Sequence, residues 1–97
     1  MGGNELRLIG KSRLKRAVEL HPTARLWVNS WTAEVAQARW KHPTEVREQF
    51  PRVQVRPSGT FAFPVADTGS DLVLSIAFPV GVAVIEEFIN RDGPYGR

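Results

Sequence analysis

The stretch TFAFPVADTGSDLVLSI, residues 60–76, decides how this chain folds. Phe61, Phe63 and Val65 alternate with smaller residues, the period of a strand with one face inward. Asp67-Thr68-Gly69-Ser70-Asp71 is rich in turn residues. Beyond it Leu72, Leu74, Ile76 and Phe78 alternate with Val73, Ser75 and Ala77. Both faces of that second run are mostly apolar, as expected of a central strand covered on two sides. Pro64 supplies no ladder N–H and assigns its part of the first strand to an edge or a bulge.

The alternation extends outward. Val53 and Val55 form a short strand ahead of a Pro57-Ser58-Gly59 turn, and Val82 to Ile89 forms a last strand after Pro79 and Gly81. Glu86 and Glu87 are neighbours on it and are expected to face apart, so they cannot act together on one bond. N-terminal to residue 52 the period is helical. After a short strand over Leu6–Ile9, residues 11–20 place Leu14, Ala17, Val18 and Leu20 inward, with Ser12 as N-cap and Pro22 past the end. A second helix begins near Thr23, with Ala24, Trp27, Val28, Trp31, Val35 and Ala38 on one stripe. Its two tryptophans read as core rather than as a platform for bases. Trp40, nine residues past Trp31, falls on the opposite side, and the helix ends near it. Thr44 caps a short third helix in which Val46 and Phe50 share a face, and Pro51 stops it. The expected architecture is α+β: an N-terminal strand, two helices and a short third helix on an antiparallel meander sheet.

Ninety-seven residues, 42% apolar and 24% charged, describe one folded domain over 1–97. Within it residues 1–5 read as a leader, 6–89 as the core and 90–97 as a polar tail. With no cysteine there is neither a disulfide nor a thiolate site, and the cytoplasm is the expected compartment. Neither a membrane-spanning run nor an export signal is visible. His21 and His42 have no partner at a ligand spacing, so no metal is expected, and no phosphate-binding glycine loop implies a cofactor.

The net charge of +3 conceals an asymmetry. Residues 1–56 carry 11 of the 13 Lys and Arg with five acids, while residues 57–97 carry two with five, so the halves stand near +6 and −3. Lys11, Arg13, Lys15 and Arg16 form a basic face on the first helix, joined by Arg39 and Lys41 as candidate RNA contacts. A solvated basic surface explains the same charges. Metal-free cleavage of RNA needs groups that activate the 2′-hydroxyl, stabilise a pentacovalent phosphate and protonate the leaving oxygen. Arg91, Tyr95 and Arg97 cluster past the last strand, and Arg56 ends another. A plain polar tail is the alternative.

Three strings resemble the HigB toxins of bacterial toxin–antitoxin modules, within the RelE-like superfamily. They are LRLIGKSRLKRAVELHPTA at 6–24, ARWKHPTEVREQFP at 38–51 and the 60–76 stretch. The middle one is the most specific, and the resemblance spans roughly 6–95. It implies a RelE-like fold in which Trp40 and Phe50 are packing residues. It also implies a ribosome-dependent endoribonuclease that cleaves mRNA and is neutralised by a helix-turn-helix antitoxin. Arg91, Tyr95 and Arg56 are then the candidate catalytic residues. Three family positions depart: an interior arginine falls on Val73, a last-strand arginine on Glu87 and a tail histidine on Asp92. The alternative is a HigB-like module that binds an antitoxin or the ribosome without cutting.

Overall fold

Alternation in the C-terminal half and a 3.6 period in the N-terminal half build a sheet with helices on one face. The computed structural model of the protein describes residues 6–66 and 68–90. The elements are β1 (Arg7–Ile9), α1 (Ser12–Leu20), a 3₁₀ turn (Pro22–Ala24), α2 (Arg25–Gln37), α3 (Pro43–Gln49), β2 (Gln54–Val55), β3 (Phe61–Pro64), β4 (Ser70–Ala77), a second 3₁₀ turn (Phe78–Val80) and β5 (Val82–Asn90).

The five strands lie in the order β1-β5-β4-β3-β2. β2 to β5 are antiparallel neighbours, and β4 is central as its two apolar faces require. The sheet is nevertheless mixed, because β1 adds to β5 in parallel, Arg7 opposite Val82 and Ile9 opposite Val84. An antiparallel meander therefore describes only four of its strands. Alternation identifies a strand but carries no direction, and β1 meets a partner from the other end of the chain. Gly10 then turns the chain out of the sheet at φ +93°. A Cβ there would stand 3.0 Å from the carbonyl oxygen of Ile85, so glycine is required by space as well as by angle.

The core lies between the sheet and the helices. Leu72, Leu74, Phe61, Phe63, Val65, Ala83 and Ile85 face Leu14, Val28, Trp31 and Val35. Trp31 packs edge-on against Phe63 at 5.4 Å and stacks on Trp27 at 6.1 Å, which makes both tryptophans packing residues. α2 ends at Gln37, and Ala38 adopts an extended conformation. That bend returns Trp40 to the core, where its Nε1–H donates to Gln49 Oε1 at 3.0 Å and its ring meets Phe50 at 6.0 Å. Pro64 pairs with Asp71 on one side only, beyond the reach of β2, so its missing N–H faces no ladder.

Two expected caps are corrected. Lys11, already helical at φ −61°, precedes α1 in the cap position, and Ser12 is the first helical residue. At α3 the cap is His42, since Pro43 takes the first helical position that its fixed φ suits, and Thr44 lies inside. The Glu45 carboxylate reaches back to accept from the N–H groups of Lys41 and His42. These bonds, led by that from Lys41, hold its pKa below the ordinary value of 4.5. Leu20 is also corrected: it is 55% exposed. Six residues past Leu14 at about 100° each, it has rotated off the buried face.

Candidate functional site on the sheet face

Strand alternation sends every second residue of β3, β4 and β5 away from the helices. Ala62, Val73 and Glu87 lie in register across the three strands on that helix-free face. Asp71 and Ser75 flank Val73 there, and Asp71 is only 4% exposed.

β5 carries one extra residue, because Val73 pairs with Glu87 while Leu74 pairs with Ile85. This bulge corrects the expectation that Glu86 and Glu87 face apart. The inserted position puts both carboxylates on the helix-free side, both exposed. Each then takes a different partner. Ser75 Oγ donates to Glu86 at 2.7 Å, and Glu87 stands 3.8 Å from the Arg56 guanidinium. Arg56 follows β2 and Glu87 is on β5, so the pair reaches across β3 and β4. About three strand spacings, roughly 14 Å, separate the two backbones.

Arg56 therefore lies where a phosphate contact on this face would need a cation, and a carboxylate already faces it. Both side chains are partly exposed, 37% and 53%, so the attraction is screened and an incoming anion can compete with it. Val73, 1% exposed, supplies only apolar surface. Arg91 and Tyr95, the other two expected catalytic residues, lie outside the described residues, as do Asp92 and Arg97.

The expected RNA-contacting residues are all exposed, but they do not form one patch. Lys11 and Lys15 line a groove between α1 and α2, together with Arg25 of α2. Arg13 and Arg16 leave α1 on another side, as their 100° steps dictate. Arg39 and Lys41 line a separate cleft with Leu6, Trp40 and residues 78–81. The Ser75–Glu86 contact escaped the sequence reading. Two adjacent charges inside an otherwise apolar strand were the available signal, since unbroken alternation would bury one of them.

Among the described residues no group of three His, Cys, Asp or Glu side chains is placed to hold a metal ion, and no helix is long and apolar enough to cross a membrane. The family model of the HigB toxin, the RelE-like toxic component of a toxin–antitoxin system, matches residues 24–91, from the end of the first 3₁₀ turn past β5. No curated protein matches the chain. A match over well more than half of the chain, on an α+β framework consistent with a RelE-like toxin, places this protein in the HigB family, as the toxin component of a toxin–antitoxin system.

Proposed function

We propose that this toxin is a ribosome-dependent, metal-independent endoribonuclease that cleaves mRNA and is neutralised by a helix-turn-helix antitoxin. Membership of the HigB family supports the reading, and the observation that carries it in the fold is Arg56 on the helix-free sheet face. In this account Arg56 and Arg91 offset the charge that develops on the scissile phosphate, and Tyr95 serves proton transfer there. Arg13, Arg16, Arg39 and Lys41 contact RNA phosphates from outside the site. The protein acts in the cytoplasm, where ribosomes are.

A second reading is favoured by one contact. Glu87 sets a carboxylate 3.8 Å from Arg56, beside an apolar Val73, so this face resists a phosphate more than an arginine-lined one would. On that reading the chain binds its antitoxin or the ribosome without cutting RNA. Controlled expression in a bacterial host separates the two. Growth arrest that disappears in the Arg91→Ala/Tyr95→Ala variant, with the variant still present at wild-type level, supports cleavage. Arrest that persists in the variant removes those residues from the mechanism.

A further inference from the structure

α1 and α2 fold back on one another through the Pro22–Ala24 turn and leave a valley of about 670 Å³ on their outer side. Its floor is Leu14, Val18 and Val28, and the small Ala33 and Ala36 form much of the α2 wall. Lys11, Lys15 and Arg25 stand on the rim, against one carboxylate, Glu19. The valley flanks the stripe that both helices turn to the sheet, so its floor is the edge of the core, where Leu14 and Val28 are buried, and it is separate from the helix-free face.

We propose that this valley is the docking site of the antitoxin, and that the docking element is an amphipathic α-helix with an apolar stripe flanked by carboxylates. The proposal rests on membership of the toxin–antitoxin family and is independent of whether the chain cuts RNA. Two packed helices leave a trough that a third helix fills at 8–10 Å between axes, and small side chains such as Ala33 and Ala36 permit that approach. The nine residues of α1 span about 13 Å, matching two to three turns of a partner helix. The apolar floor rewards aliphatic side chains. Three cations against one carboxylate select acidic flanks.

Other occupants fit less well. A phosphate backbone gains nothing from an aliphatic floor, and no aromatic ring lines the valley to stack a base. A second copy of this chain docking there through the same valley would set Lys11, Lys15 and Arg25 against their own counterparts. Lys11 and Lys15 are thus assigned to protein recognition, whereas Arg13 and Arg16 stay free for RNA.

The test is calorimetric titration of the full chain with the purified antitoxin of its own pair, at low and physiological salt. Ala33→Trp fills the valley from an exposed position, Lys11→Glu/Lys15→Glu/Arg25→Glu reverses its rim, and Arg13→Glu/Arg16→Glu is the control on the same helix. Circular dichroism of each variant establishes its fold. The proposal expects Ala33→Trp to weaken binding by about 30-fold or more and the rim reversal by about tenfold or more, with loss of the wild-type salt dependence. The control should stay within about twofold of wild type. Should Ala33→Trp fail to fold, the rim reversal alone decides. Wild-type affinity in the folded groove variants, self-association lost on filling the valley, or loss of RNA binding with the antitoxin still bound would each overturn it. So would failure of the wild-type chain to bind the antitoxin, a result that leaves the cleavage reading standing.

Discussion

Val73 on β4 and Glu87 on β5 face one another across the sheet, and the bulge at Glu86 is what puts them there. Without the extra residue in β5, Glu87 would turn toward the helices and leave the reach of Arg56. The pairing therefore couples an apolar position, a carboxylate and the cation that follows β2 on one face. Introducing Val73→Arg should cost about 1–3 kcal/mol in stability, because the site is almost fully covered. The cost should be greater when Glu87→Gln is present, since the new guanidinium then loses the carboxylate that pairs with it across the two strands. A double-mutant cycle from urea unfolding measures the coupling, expected at about 0.5 kcal/mol or more.

Glu87→Gln alone should release Arg56 with little effect on stability, because a partly exposed ion pair is worth up to about 1 kcal/mol. The same change should tighten binding of a short RNA by up to about fivefold and steepen its salt dependence, as a freed cation adds a phosphate contact. Fluorescence anisotropy at several salt concentrations provides the measurement.

Trp31 anchors α2 to the sheet through Phe63. Trp31→Ala should destabilise the fold by about 3–5 kcal/mol. Trp31→Phe should cost much less, under about 2 kcal/mol, since it keeps a ring and removes an indole N–H that is buried without a partner among the described residues. Thermal unfolding of the two variants ranks them.

Glu45 makes α3 sensitive to acid. Its pKa is lowered in the folded protein, so its contribution is fully present above the ordinary value of 4.5 and is lost as pH falls through the folded value. Wild type should exceed Glu45→Gln in stability at pH 7, and the difference should shrink below pH 4.5. A gap unchanged at low pH would remove the carboxylate from the cap.

Strands and helices were legible wherever a period runs unbroken. Leu72 to Phe78 announced a central strand, and Trp27, Val28, Trp31 and Val35 announced a buried helical stripe. The features that escaped depend on contacts between distant segments. The parallel pairing of β1 follows from where α1 and α2 return the chain, and the bulge at Glu86 follows from β4 and β5 matching at both ends. Ser12 and Thr44 have the chemistry of caps, but the Gly10 turn places the first cap one residue earlier, at Lys11, and Pro43 places the second two residues earlier, at His42. At the candidate site the charges were legible and their distribution was not. A helix wheel separates Lys11 and Lys15 from Arg13 and Arg16, and the valley beside α2 appears only once both helices are packed. Arg56 and Glu87 meet through strand order, which no local pattern encodes.

The most direct test of the proposed function is cleavage of a defined mRNA by the purified chain, with and without programmed ribosomes, beside the Arg91→Ala/Tyr95→Ala variant. The account predicts cuts that need the ribosome and vanish in the variant. An intact mRNA on ribosomes that have bound the wild-type protein would contradict it, and would mean that this HigB-family fold engages its target without cutting.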